Sequence, residues 1–583
     1  MDLDQQRQLG ALVPASLGFV LKQFLLPAVC LVGIPFPLYC IIQYKSGEFL
    51  DVVLTLAAWA VLTGVYWLPA GWLLFRWRGH WAVRVAIGYL VSVPLYFLAL
   101  ALVYPAFGFQ FHPRSASVWA TYFSATPTFF LLVLVLYLLV RRGRTLARVV
   151  RTASAAIFLV ALAASLVLWA RVDKYKWPAQ TLPHVEVVNA RIVDAAERKI
   201  VDGQNVQIEN GRIVNITPAS MDRSGWLKID AQGAYLVPGL IDVHTHLQAP
   251  IRSVLGDFDF AYFLDSILGD YAPQRREYLE NGVTTIRDDG GPAAHIFALR
   301  SKLARHELLG PHIFATGRLV TSPHGHPVST IWTPAVTRQG AILAADSASL
   351  MTGLEKNYAE GPPDAVKIIY GTVGMAREKI SQDLLKRAVA WANGKHLITV
   401  VHIDTTEEAT AAVAAGATGV EHFATIESLP DSLVADIVAH GTFIDPTFGE
   451  LRSARTLTGH KKEDIEPELQ RKYAFLRRAY DSGARLTIGT DSPLVPFGEG
   501  FQDELVQYAS AGFTPARILV FATLNNAAYL GKSNELGKIA PGYVADMFLV
   551  HENPLNDVHA LRKPLWVMLA GQIVVGRPSG ASQ

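Results

Sequence analysis

Cysteine is nearly absent: the 583 residues include two, Cys30 and Cys40. Such a pair builds no disulfide framework, and neither thiol lies near the residues further along the chain that carry chemistry. Charge is sparse as well. Charged residues make up 17% of the chain and the net charge is +2, so there is no basic surface for nucleic acid, nor a basic-aromatic groove pattern that would suit one. Apolar residues take the space instead, at 51%, which is rich for a soluble protein, and the chain is too long for one ordinary domain.

The apolar excess is concentrated before residue 172. Five segments there, Phe24–Ile42, Val52–Phe75, Val85–Tyr104, Val118–Val140 and Thr152–Ala170, reach the roughly 20 residues that a bilayer core requires. Trp72, Trp77, Trp81, Tyr104 and Trp119 stand near their ends, where amphipathic rings favour the headgroup zone. The first run is too long for a cleaved signal peptide and is followed by others. Arg76, Arg78 and Arg84 in the second connection, and Arg141, Arg142, Arg144, Arg148 and Arg151 in the fourth, assign both to the cytoplasmic side. Five spans then place everything after Arg171 outside. The expectation is a multi-pass protein of the cytoplasmic membrane, in contact with lipid, whose catalytic portion faces the periplasm or the exterior. The spans lack the acidic and basic residues of an ion path, which argues against a transporter.

From His184 the pattern changes to short alternating strands with turn signals, among them Asn210-Gly211. Beyond Leu240, β-rich runs alternate with helical stretches: the run ending at His246, then 284–287, 312–316, 365–370, 397–402, 420–422, 442–445 and 486–490. Eight such units predict an α/β fold, a (β/α)8 barrel of the TIM type, with its site at the carboxyl ends of the strands. β pattern returns from Gly537. The expected domains are a five-helix α-helical transmembrane domain over 1–175, a small β-sandwich from 184–238 and 536–577, and the barrel over 239–535.

Two imidazoles stand two residues apart at the end of the first barrel run, in Val237-Pro-Gly-Leu-Ile-Asp-Val-His-Thr-His246. On a strand, His244 and His246 share a face and could grip one metal ion; taken alone they could equally be two hydrogen-bonded histidines. Lys367, His402, His422 and Asp491 also fall within strands or at their carboxyl ends, where a barrel gathers separate segments. Lys367 lies in the apolar run Ala365-Val-Lys-Ile-Ile-Tyr370, where an unpaired ammonium is costly. Either it pairs with a buried carboxylate, or carbon dioxide converts it to a carbamate that bridges two metals.

Together with Gly282-Val-Thr-Thr-Ile-Arg-Asp288, Val420-Glu-His422, Ile488-Gly-Thr-Asp491, Ala522-Thr-Leu-Asn-Asn526 and Gly537-Lys-Ile-Ala-Pro-Gly-Tyr-Val-Ala-Asp546, these motifs make residues 185–577 resemble the amidohydrolase superfamily. The resemblance is to its imidazolonepropionase-like branch, which includes prolidase-like (Xaa-Pro dipeptidase-like) enzymes. It implies two divalent metal ions, zinc by type: His244, His246 and Asp491 hold one, His402 and His422 the other, and carboxylated Lys367 bridges them. Asp491 then serves as the proton carrier in a metal-assisted hydrolysis. Tyr370, His324 and His326 sit where prolidase-like relatives bind the carboxylate of a carboxy-terminal amino acid, although a surface role for the two histidines stands beside that. The apolar stretch 258–268 is either a packed helix or a membrane-facing lip.

The function expected is hydrolysis of a C–N bond in a dipeptide or N-acyl amino acid. A lipidic amide or lactone delivered through the membrane domain is the alternative substrate, and a non-catalytic membrane sensor or scaffold the alternative class. Assembly as a homo-oligomer is left open by the sequence.

Overall fold

The computed structural model describes residues 174–577, apart from 180, 219–224, 257–258, 333, 373–377 and 424–429. The five apolar segments and both cysteines lie outside the described residues. Among the described residues no helix is long and apolar enough to cross a membrane.

The chain first lays down β1 (His184–Asp194), β2 (Lys199–Glu209), β3 (Arg212–Thr217), β4 (Leu227–Asp230) and β5 (Tyr235–Pro238). Asn210 and Gly211, at φ 48° and 79°, supply the two left-handed residues of the tight β2–β3 hairpin. The barrel runs follow: β6 (Leu240–Thr245), β7 (Val283–Asp288), β8 (His312–Ala315), β9 (Leu319–Thr321), β10 (Ala341–Leu343), β11 (Ala365–Ile369), β12 (Ile398–Ile403), β13 (Gly419–His422), β14 (Phe443–Asp445) and β15 (Arg485–Leu486). The chain then returns through β16 (Met547–Val550), β17 (Trp566–Leu569) and β18 (Gln572–Gly576).

The flanking strands form one hydrogen-bonded sheet, in the order β18-β17-β16-β5-β1-β2-β3, with β4 also paired to β1. This differs from the two separate layers of the expected sandwich. β1 accounts for the difference: it is long, its register with β2 shifts between Val187 and Ile192, and it pairs β4 along its first half and β5 along its second. The sheet keeps a core of its own, including Val185, Val187, Val206, Ile208, Met547 and Trp566.

All pairs among the barrel strands are parallel, β6-β7-β8 in one set and β9-β11-β12-β13-β14-β15 in the other, with β10 beside β9. β8 and β9 are one run broken at Gly317 (φ 68°), where a Cβ would meet Phe297 and Asn357. Asn357 satisfies the break, accepting from Arg318 N (3.0 Å) and donating to Thr316 O (2.9 Å). The ring closes beyond β15, where Val243 N donates to Ile488 O (3.3 Å) and Thr490 N to His244 O (3.1 Å). Helices such as Ser347–Glu360, Gln382–Gly394 and Asp431–His440 alternate with the strands. Covered on both faces, β6, β7, β11 and β13 are buried at every position, including the polar residues Asp242, His244, Arg287, Lys367 and Glu421 that interrupt their apolar sequence. Phe260–Leu268 is a helix with Phe263 and Ile267 buried, the packed reading of that apolar stretch.

Arg275, fully buried in the helix Ala272–Glu280, donates to five backbone carbonyls: Asp270, Gly269, Leu309, Tyr175 and Lys174. It thereby fastens residues 174–175 to the barrel, and Trp177 stacks on His306 with centroids 4.0 Å apart. Replacing Arg275 by Met leaves several of these carbonyls without a donor, so stability should fall by roughly 3 kcal/mol in denaturant unfolding. Trypsin should then cut faster after Lys174 and Lys176; an unchanged cleavage rate would show that the clamp does not hold the segment.

Candidate metal centre

Burial and strand alternation decide which side chains meet inside the ring. His244 lies within β6 and is sealed, whereas His246, one step beyond the strand, is 28% exposed on its side chain and faces the open end. Asp491 Oδ1 lies 3.4 Å from His244 Nε2 and 3.2 Å from His246 Nε2. His246 Nδ1 lies 3.0 Å from Gly290 O, which can only accept, so Nδ1 carries a proton; Nε2 faces Asp491, and although burial lowers the pKa of the ring, that carboxylate more than offsets it and raises it to about 9. Asp288 holds the loop that carries His246, accepting from Leu247 N (2.9 Å) and Gly290 N (3.3 Å).

Lys367 points into the same space. Its Nζ is hydrogen-bonded to Glu421, lies 3.5 Å from Asp289 and is 3.2 Å from His244 Nε2. Burial alone would lower its pKa, but Glu421 and Asp289 more than offset that and hold the ammonium above its ordinary range. As the unmodified amine, Lys367 pairs with the buried carboxylate of Glu421. Arg287, with no exposed side-chain surface, grips Asp289 through two hydrogen bonds (2.6 and 3.0 Å) and bonds Glu421. Its guanidinium also lies 4.6 Å from the centroid of the Tyr529 ring.

His422 adjoins Glu421, and period-two alternation would send the two to opposite faces of β13. A φ of 76° at His422 breaks the alternation and brings its ring to 4.8 Å from His244 and 4.2 Å from His402, centroid to centroid. Burial, then the charges of neighbouring groups, hold the His244 and His422 imidazoles well below their ordinary pKa, so both are neutral, as ligands must be. His402 Nε2 is buried without a hydrogen bond, 3.6 Å from Asp404 Oδ1.

Two groups of donors converge with all ligand atoms within 4.8 Å: His244, His246 and Asp491, and His244, Glu421 and His422. Neutral imidazoles beside carboxylates, and a buried His402 nitrogen lacking a partner, fit a divalent cation. The structure therefore gathers His244, His246, Lys367, His402, His422 and Asp491 at one end of the barrel. It also brings Glu421, to which the sequence reading gave no role, into one donor group with His244 and His422. His326 is close, 5.6 Å from His402 between centroids, with burial pushing its pKa down to about 3. Tyr370, buried, directly follows β11, and its ring lies 4.9 Å from Lys379 Nζ. His324 is exposed and makes none of these contacts.

Arg287, Asp289, Glu421 and Asp445 carry no role in the sequence reading. The signal was present: each is a charged residue in or next to a strand run that is otherwise apolar, the argument that singled out Lys367.

Comparison with known proteins follows from this geometry. The sequence profile of the Amidohydrolase family matches residues 235–574, more than half of the chain. The chain belongs to the amidohydrolase family. It is 24% identical over 384 residues to adenine deaminase 3 of Rhizobium johnstonii, covering 64% of this chain and 55% of that protein. It thus spans about half the length of the curated deaminases it matches. Ochratoxinase of Aspergillus niger is 22% identical over 364 residues, covering 56% of this chain and 72% of that protein. Among solved structures, a Xaa-Pro dipeptidase with bound methionine superposes with a TM-score of 0.59 at 21% identity, covering 67% of this chain and 99% of that one. The crystal structure of A. niger ochratoxinase gives 0.56 at 19%, covering 68% and 96%. At these identities the structural likeness is one of fold.

Glu504 offers a test outside the donor groups. It is buried, and accepts from Phe448 N (2.7 Å) and Gly449 N (2.8 Å), fixing the start of the helix Phe448–Leu457. Burial pushes its pKa from 4.5 to about 8. The folded chain therefore holds this proton to higher pH than the unfolded chain, and the associated stability is full below about 4.5 and lost as pH rises through about 8. Glu504→Gln cannot titrate, so its melting temperature should fall less between those limits than that of the parent; parallel curves would refute this.

Proposed function

We propose that this protein is a membrane-anchored, binuclear metal-dependent amidohydrolase that cleaves the amide bond of a dipeptide or an N-acyl amino acid. The observation that carries the reading is the Asp491 carboxylate, set against the inward nitrogens of His244 and His246 at the strand ends. In this reading His244, His246 and Asp491 hold one divalent cation, His402 and His422 the other, and carboxylated Lys367 is the shared ligand. Zinc suits such a set of imidazoles and carboxylates. When bound, the two cations lower the pKa of water towards neutrality and polarise a carbonyl.

The chain's own groups do the rest. Asp491 accepts the proton of the attacking water at a carboxylate oxygen and returns it to the departing nitrogen, which as an unprotonated amide anion is a poor leaving group. Tyr370 and His326 bind the substrate carboxylate through O–H and N–H donation, since a ring with a pKa of about 3 is neutral and offers a hydrogen bond rather than a charge. In this reading His324, which is exposed, borders that subsite. The dipeptidase and ochratoxinase likenesses support an amide as the bond cleaved. The five apolar segments and the arginines between them support a membrane anchor with the barrel on the periplasmic or exterior side.

A lipidic amide or lactone is the second reading. It is favoured by Leu255 and Ile331, 48% and 72% exposed, in the loops that follow β6 and β9 on the side of the barrel that carries the site.

Metal analysis of the purified protein, with turnover measured on dipeptides, N-acyl amino acids, lactones and lipid amides, decides between these. Two equivalents of metal are expected, with activity lost on chelation and regained on adding zinc. Asp491→Asn should lower kcat/KM by on the order of a thousandfold. A protein inert and metal-free throughout would sink the proposal, and turnover of the lipid amides alone would favour the second reading. A compartment-sensitive reporter fused after Gln583 should report the outer side.

A further inference from the structure

Each imidazole in the cluster has two nitrogens, and a metal can take only the one that is free of a proton. His246 carries a proton on Nδ1, facing the Gly290 carbonyl, and turns Nε2 to Asp491. His422 has no such carbonyl. Its Nδ1 lies 2.9 Å from Thr447 Oγ1 and 3.8 Å from Glu450 Oε2. The hydroxyl oxygen can accept from an Nδ1–H, whereas Glu450 Oε2 lies beyond hydrogen-bond reach.

Thr447 is held in place at some cost. It has no exposed surface and sits at φ 44° and ψ 59°, a left-handed conformation that a β-branched residue rarely adopts. What keeps it there is the next turn of chain. Phe448 and Gly449 donate their N–H groups to the two oxygens of Glu504, and at Gly449 a Cβ would stand 2.9 Å from Val495 and 3.2 Å from Glu504. The clamp thus fixes the helix start, and the residue before it is forced to turn its hydroxyl towards His422.

We propose that Thr447 is a positioning residue: its hydroxyl, aimed by the Glu504 clamp, holds His422 as the Nδ1-protonated tautomer and reserves Nε2 for the metal. The inference rests on the reading of His422 as a ligand. It assigns a task to a residue that touches neither metal nor substrate, and explains why a strained threonine is tolerated beside the site.

The test is zinc affinity of the full chain, measured by competition with a chromophoric chelator. Thr447→Val keeps the β-branched shape and the same backbone cost but removes the acceptor; Thr447→Ser restores it. Loss of an outer-shell partner typically weakens a metal site about 10- to 100-fold, so Val should bind zinc at one site at least about tenfold more weakly while Ser stays within about threefold of the parent. Should the Val chain fail to fold, Thr447→Ala against Thr447→Ser gives the same comparison. Equal affinity of Val and parent, or a Ser variant as weak as Val, overturns the inference while leaving the metal reading intact. A parent chain that binds no zinc overturns the ligand reading and the inference together.

Discussion

Two cations and two carboxylates share the dry centre of the barrel. Arg287 and Lys367 face Asp289 and Glu421, and none of the four side chains has more than 1% of its surface exposed. A single unpaired charge there would cost several kcal/mol, whereas the four together are mutually neutral and hydrogen-bonded. Burial pushes Glu421 upward in pKa and the two cations pull it back; its contacts with both are those of a carboxylate. The four residues come from β7 and its end, β11 and β13, so neutrality holds only if those strands keep their order and register. The cluster thereby ties the ring together below the donors and sets where His244 and His422 lie above it.

Placing ligands on neighbouring residues conflicts with the pleat of a strand. Glu421 and His422 are adjacent and both point inward, which regular alternation forbids. The conflict is resolved by left-handed residues at the strand ends: His422 (φ 76°), Phe423 (φ 59°), Thr447 (φ 44°) and Asp491 (φ 56°). Four non-glycine residues of this kind around one cluster mark a place where backbone cost is accepted for side-chain direction. Rigid strands deliver the chain to the site; strained exits from those strands aim the groups.

Much of the barrel was legible because its signals are local. Largely apolar runs of four to six residues, separated by helical stretches, announce parallel strands covered on both sides, and the runs at 365–369 and 398–403 are of this type. His244, His246, His402, His422 and Asp491 stood out because ligand-type residues at strand ends have one point at which to meet. The partners of Lys367 were not legible. Burial of the lysine demanded a carboxylate, but Glu421 lies 54 residues away and faces inward only by virtue of a register that spacing does not reveal. Thr447 was invisible for a different reason, since its role depends on a backbone conformation imposed by Glu504 from another helix. The single bent sheet beside the barrel was likewise hidden, because alternation identifies strands but not which two of them share the edge of β1.

The charge balance also constrains the chemistry proposed for Lys367. With the lysine as an ammonium, Arg287 and Lys367 match Asp289 and Glu421, and the core needs no ion. Carboxylation would replace one positive charge by one negative charge, leaving Arg287 against three anions, with Asp491 close by. In so dry a centre that excess could not stand alone. Bound divalent cations would supply the missing positive charge, so carboxylation and metal occupancy would rise and fall as one electrostatic condition. Arg287 stays in both states, gripping Asp289 and Glu421, and would give the centre a fixed frame on which the charge of Lys367 can change sign.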